Sequence, residues 1–259
     1  MERLARQEKR NGITRTALRL WGIFFAAVGI VGQAILQNRL LNLGNVTNQQ
    51  LLEAMMADSK VMVMATAALA MQAMETCAVP IFAFLLVEGF LHTKDSVKYL
   101  LRVLGIAVLS EIPYNLAMSG NILDFSSRNP IFGLVLCLVM LLFFKRYVGK
   151  EIGKILIKVL VAAAAMVWCG MLGIEEGACS VVLVAVLWAA RNLKDFRTFI
   201  GCIAAACCSV ISPYYLAAPM GFLVIHFYQG ERGEENRLVN YLAYPALLLV
   251  AGVAGSFLM

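Results

Sequence analysis

Histidine is almost missing from this chain: His92 and His226 are the only two in 259 residues. Neither falls in an HExxH or similar spacing, and no metal-ligand cluster is available, so no metal is expected. The seven cysteines (Cys77, Cys137, Cys169, Cys179, Cys202, Cys207 and Cys208) are odd in number, form no CxxC pair and all lie within apolar runs. They read as small buried hydrophobes. Charge is scarce as well. Asp, Glu, Lys and Arg make up 15% of the chain, against roughly 25% in an ordinary soluble domain. With no recognition helix and no aromatic–basic platform, nucleic-acid binding has no support. No internal repeat or low-complexity tract is visible.

Apolar residues fill the space that charge leaves, at 61% of the sequence. They fall in blocks about one bilayer thick, about 17–25 residues each. The fold class is therefore all-α, a polytopic transmembrane bundle forming one domain over residues 1–259. Nine spans are expected, at about 18–36, 61–91, 99–118, 130–144, 156–173, 178–190, 198–212, 214–228 and 239–258; eight is the alternative, because the sixth and seventh are short. The opening MERLARQEKRNGITRTALRL is basic, and no small-residue cleavage site follows the first apolar run. Residues 1–16 then read as a cytoplasmic tail before an uncleaved first span. With the N-terminus inside and the C-terminus outside, nineteen of the 22 Lys and Arg residues fall on cytoplasmic segments, leaving Arg39, Lys60 and Arg128 outside. That asymmetry is the positive-inside pattern, and it accounts for the net charge of +6. The same basic clusters can also bind an anionic cytosolic ligand. Residues 37–60 read as an outer interfacial segment with a short helix that Thr47 could cap. SGNILDFSSRNP, 119–130, reads as a turn-rich outer loop, and the Met-rich MVMATAALAMQAM as packing.

Carboxylates inside spans are expensive, roughly 2.5–3.5 kcal/mol each at a helix centre, and so each is a candidate for function. Glu75, Glu88 and Glu111 qualify. Glu75 precedes Pro80 by five residues, where a kink is expected. The alternative for Glu75 is a protonated group hydrogen-bonded to a neighbouring helix. Glu88 and His92 are four residues apart and share a helix face. A carboxylate beside an imidazole orients it and raises its proton affinity, which is what a general base needs. In SEIPYN, Pro113 frees a backbone carbonyl beside Glu111, Tyr114 and Asn115, and broken helices at membrane depth usually line a cavity. His226, Tyr214, Tyr215, Tyr241 and Tyr244 read as interfacial residues.

The run PIFAFLLVEGFLHTKDSVKYLLRVLGIAVLSEIPYNLAMSG, from Pro80 to Gly120, resembles the TraX family of conjugation-associated bacterial membrane proteins. FYQGERGEENRLVNYLAYP, 227–245, is a weaker match to the family's C-terminal segments. The resemblance implies a membrane-embedded acyltransferase of the bacterial cytoplasmic membrane, with acetyl-CoA or another acyl-CoA as co-substrate. The family's named acceptor is the N-terminus of a conjugative pilin subunit; here the acceptor is left as an amine or hydroxyl of a protein or envelope component. Carried over residue by residue, the block covers Pro80, Glu88, His92, Thr93, Lys98, Tyr99, Arg102, Glu111, Pro113, Tyr114 and Asn115. Two family histidines have no counterpart. The first span reads FFAAVGIVGQAIL where members carry Asp-His, and apolar residues follow Tyr244 and Pro245. His92 is then the best remaining base. On this reading Lys94, Lys98, Arg102, Lys145 and Arg146 hold the phosphates of acyl-CoA. Glu88 orients His92, while Glu111, Tyr114 and Asn115 line the acceptor side of the cavity. A transporter with Glu75 and Glu111 at its midplane, and a non-catalytic membrane scaffold, are the alternatives.

Overall fold

A computed structural model describes residues 12–41, 48–124, 126–149, 151–174, 176–193, 196–231, 233 and 237–257. All of its named elements are helical, and one isolated parallel bridge joins Ile13 to Tyr228. The first helix, α1 (Arg15–Ile30), begins earlier than expected because Thr14 caps it, its hydroxyl accepting from Ala17 N at 3.2 Å. It continues as a π-helix over Val31–Leu40. There Asn38 Nδ2 donates to Met118 O at 2.9 Å and Arg39 Nη2 to Leu116 O at 3.4 Å. Those are terminal carbonyls of a neighbouring helix, which has no partners of its own for them. Helix α2 (Asn48–Ala57) lies in the segment expected to be interfacial; Thr47, its expected cap, lies outside the described residues.

The second apolar block was expected to be one kinked span and is two helices, α3 (Ser59–Glu75) and α4 (Ala78–His92). Pro80 has no N–H, and its ring crowds the carbonyl four residues back, which belongs to Thr76. The break falls there. Its polar groups are taken up locally: Thr76 Oγ1 donates to Ala73 O at 2.7 Å, and Cys77 Sγ to Ala217 O at 3.2 Å. Helix α5 (Ser96–Met118), by contrast, runs unbroken through Pro113, which corrects the expectation of a broken helix at SEIPYN. The remaining helices are α6 (Ile131–Arg146), α7 (Ile152–Met171), α8 (Gly177–Ala189), α9 (Arg197–Cys207), α10 (Pro219–His226) and α11 (Arg237–Ser256).

The apolar blocks anticipated from the sequence hold helices of different reach, and the block at 214–228 is not one span but a 3-10 turn, Pro213–Leu216, followed by the eight-residue α10. Among the described residues, four stretches are long and apolar enough to cross a bilayer: Arg15–Leu40, Ser59–His92, Ser96–Met118 and Ile152–Met171. A 16-residue helix such as α6 is about 24 Å long, short of a hydrocarbon core of about 30 Å. Helix α4 is the hub. Eleven of its 15 residues are buried, against α1, α8 and α10. A second, smaller core of Ile30, Ala34, Tyr114, Ala117, Leu248 and Ala251 joins the π-helix, α5 and α11. Helix α7 is the opposite of α4, exposing Leu156, Val159, Leu160, Val167 and Trp168. An apolar face of that extent on the outside of the fold is suited to lipid. Five of the seven cysteines are buried as expected; Cys202 is half-buried and Cys207 exposed.

Gly29 marks a close approach. A Cβ there would run into the carboxyl group and the Cβ of Glu75. Because the stem of Glu75 is met as well as its tip, α3 has to move, not just a side chain. Gly29→Ala is expected to lower stability by about 1–3 kcal/mol, the range for overpacking, measured by thermal unfolding in detergent.

Candidate active-site cavity

Six helices, α1, α4, α5, α6, α8 and α11, surround a cavity of about 430 Å³, with α3 closing its floor through Glu75. Its wall is mostly apolar, from residues such as Ile23, Phe82, Leu86 and Leu134, and its lining also includes arginine and carboxyl side chains. At one end are Arg15, Arg19, His92, Thr93 and Arg102; deeper lie Glu75, Glu176, Ser180 and Tyr244. Arg15 and Arg19 are one helical turn apart and share a face, which the early start of α1 presents to the cavity. Gly89 lets the opposite wall close in: a Cβ there would stand 2.7 Å from the Tyr99 hydroxyl and 3.2 Å from Arg15 Nη2.

His92 ends α4 at the rim of the cavity, with its side chain 63% exposed. Its Nδ1 is 2.8 Å from the Glu88 carbonyl oxygen and 3.5 Å from Glu88 Oε2. The Glu88 carboxylate faces away from the cavity and pairs through Oε1 with Arg197 Nη1. Arg197 opens α9, is 9% exposed, and stacks 4.6 Å from the centre of the Phe84 ring. Next to His92, Asp95 caps α5, accepting from Val97 N at 3.1 Å and Lys98 N at 3.0 Å. The backbone N–H of Lys98 is the main cause holding the Asp95 carboxyl below its ordinary pKa.

The residues singled out from sequence therefore separate into groups. His92 and Arg102 line the cavity. Lys94 and Lys98 are exposed, and Lys98 Nζ is 3.3 Å from Asp95. Lys145 donates to Ser96 Oγ at 3.1 Å, and with Arg146 borders a separate, shallow concavity beside Leu142 and Phe143. Glu111 is engaged elsewhere: Arg128 Nη1 donates to its Oε1 at 2.7 Å, and Asn129 N lies 3.4 Å from its Oε2. Asn129 Nδ2 also donates to Ala107 O at 3.1 Å, and Asn115 Nδ2 to Ile122 O at 3.5 Å. Arg128 and Asn129 thus fold back against α5, and Tyr114 is buried in the smaller core. Glu111→Gln should lower amide protection across this loop by about one to two orders of magnitude, since a hydrogen bond to a charged group is worth about 1.5–3 kcal/mol; hydrogen exchange reads it directly.

Three cavity residues, Arg15, Arg19 and Glu176, and one supporting residue, Arg197, escape a reading of charge in spans. Arg15 and Arg19 look like ordinary positive-inside residues, and Glu176 like part of a polar link between two apolar runs. Glu75 is singled out by its cost yet not by its location, and Arg197 is one cation among several at helix ends. The one available signal is that each abuts an apolar run.

A helical membrane protein with a cavity lined by arginine, histidine and carboxyl side chains is the class that this fold and site define. The family model described as TraX protein matches residues 47–254, and the chain belongs to the TraX family. It is also 26% identical over 202 residues to the probable fimbrial assembly protein FimC, serogroup H1, of Dichelobacter nodosus, across 69% of this chain and 80% of that protein. No solved structure matches the chain significantly.

Proposed function

We propose that this TraX-family protein is a membrane-embedded acyltransferase, associated with pilus or conjugative assembly, that moves an acetyl or other acyl group from cytosolic acyl-CoA to an amine or hydroxyl. The observation that carries the reading is the cavity's basic end, where Arg15, Arg19 and Arg102 line the same cavity as His92. Guanidinium groups bind phosphate oxygens through two parallel donors, so Arg15, Arg19 and Arg102 take the phosphates of the donor. Lys94, Lys98, Lys145 and Arg146 stay outside the cavity and contribute to the surface field that draws an anion in. His92 accepts the proton of the acceptor nucleophile as it attacks the thioester carbonyl. The bond from acyl carbon to sulfur breaks, and the thiolate of CoA leaves with that proton. Glu75, Glu176, Ser180 and Tyr244 form the polar pocket for the acceptor. The basic end faces the cytosol in the arrangement that the distribution of Lys and Arg favours, with the N-terminus inside in the membrane of a bacterial cell.

The test is transfer itself. Membranes holding the protein are incubated with acetyl-labelled acetyl-CoA and the label is followed into envelope material. Label is expected to move with the wild type, and its failure to move at any acceptor supply sinks the reading. A carrier is the second reading, favoured by the two deep carboxylates. Proton-coupled uptake in proteoliposomes that Glu75→Gln abolishes, with no acetyl transfer, would establish it.

A further inference from the structure

We propose that the turn between α6 and α7 binds the phosphate headgroup of an anionic phospholipid, held by Lys145 and Arg146 and flanked by Lys154 and Lys158, with the acyl chains against the exposed face of α7. The site is separate from the acyl-transfer cavity, and the inference does not rest on that reading.

Residues 147–151 join the last turn of α6 to the first turn of α7. On the α6 side lies a shallow concavity of about 400 Å³, lined by Leu142, Phe143, Lys145 and Arg146. Lys145 is anchored there: it donates to Ser96 Oγ at 3.1 Å, and its ammonium is 5.7 Å from the centre of the Phe90 ring. An ammonium has three donors, so two remain for a ligand. The Arg146 side chain is exposed. From the other side Lys158 reaches back. It is six residues beyond the start of α7, about 9 Å along the helix axis, yet its Nζ donates to Gly149 O at 3.3 Å. A Cβ on Gly149 would stand 3.2 Å from Lys154 Cδ, so Lys154 lies over the same turn. Glu151 Oε1 takes Lys154 Nζ at 2.9 Å, while among the described residues Lys145, Arg146 and Lys158 have no carboxylate partner. Helix stability does not explain Lys154 either. It sits in the first turn of α7, where the macrodipole favours anions and no acidic residue is present. A bound anion offsets this charge. The surrounding surface decides which anion, because Phe143, Val148, Ile152, Ile155 and Val159 are all exposed, and Ile155 is one helical turn from Lys158. Cations beside uncovered apolar surface suit a molecule that joins phosphate to hydrocarbon. A lysine that snorkels back toward the turn puts its charge at headgroup level, and basic pockets between helices at the membrane surface are suited to lipid headgroups.

The test is lipid retention. Purified full-length protein in detergent is mixed with equal amounts of phosphatidylglycerol and phosphatidylcholine carrying the same acyl chains, and the lipid that stays bound is read by native mass spectrometry. The wild type is expected to retain phosphatidylglycerol in preference. Lys145→Gln with Arg146→Gln should weaken that retention about 25-fold, each cation beside an anionic headgroup counting for about fivefold. Lys94→Gln with Lys98→Gln removes the same charge from the loop before α5 and should leave retention unchanged. If losing the bond from Lys145 to Ser96 prevents folding, Arg146→Gln alone carries the comparison, with a loss of about fivefold. Equal retention of the two lipids by the wild type overturns the proposal, as does undiminished retention in the α6 variants. An equal loss in the Lys94, Lys98 variant would mark diffuse surface charge and overturn it too. Displacement of the lipid by glycerol 3-phosphate at matched concentration would assign the turn to a soluble phosphate instead, which also overturns it.

Discussion

Arg197→Met is expected to be the most destabilising single substitution at the basic end, at roughly 3–5 kcal/mol, the cost of removing one partner from a buried ion pair. Both side chains are largely enclosed, Arg197 at 11% and Glu88 at 14% exposure, so solvent does little to screen the loss. Methionine keeps the contact with Phe84 but leaves the Glu88 carboxylate without its counterion. The double variant Arg197→Met with Glu88→Leu should recover most of the loss, since two apolar side chains of similar volume often replace a buried pair without penalty. Thermal unfolding in detergent separates the cases. A double variant as unstable as the single one would show that packing around Arg197, and not the pair, holds α9 against α4.

The second large effect is on rate. His92→Ala should lower acetyl transfer by about 10²–10⁴-fold, the usual contribution of a positioned acid or base, while acetyl-CoA still binds. On the acyl-transfer proposal, binding energy and proton transfer come from different residues: arginines lining the cavity, and one imidazole at its rim. The same division predicts opposite behaviour from two sets of cations. Lys94→Ala and Lys98→Ala should leave the KM for acyl-CoA within about twofold, as exposed charges are screened by salt. Arg15→Ala and Arg102→Ala should each raise it by an order of magnitude or more, as expected for lost charge-assisted bonds to phosphate of about 1.5–3 kcal/mol. Initial rates against acyl-CoA concentration distinguish the two sets, and equal effects from both would return the donor site to the lysine-bearing loop.

The helices were legible because hydropathy in long blocks has few other meanings, and α1, α5 and α7 fall where the blocks lie. What a one-dimensional pattern could not carry is depth. Nothing in the composition of residues 119–130 distinguishes a loop that stays outside from one that folds back until Asn129 meets Ala107. Nor does the spacing of Glu111 and Pro113 reveal that Arg128 returns to pair with the carboxylate, or that α5 passes Pro113 unbroken. His92 and Glu88 were legible as neighbours, since a separation of four residues on a helix fixes that. The third member was not, because Arg197 is 109 residues away in sequence from Glu88 and reaches it only through the packing of α9. Arg15 and Arg19 show the same blindness from the other side. Their number satisfies topology, and only the turn of α1 capped by Thr14 shows that they face inward.

Binding of labelled acetyl-CoA to purified protein in nanodiscs, wild type against the Arg15→Ala, Arg102→Ala double variant, tests the cavity as the donor site most directly. Saturable binding to the wild type is predicted, competed by unlabelled CoA and weakened at least tenfold in the double variant. Absence of saturable binding to the wild type, or binding that the double variant leaves unchanged, would contradict it.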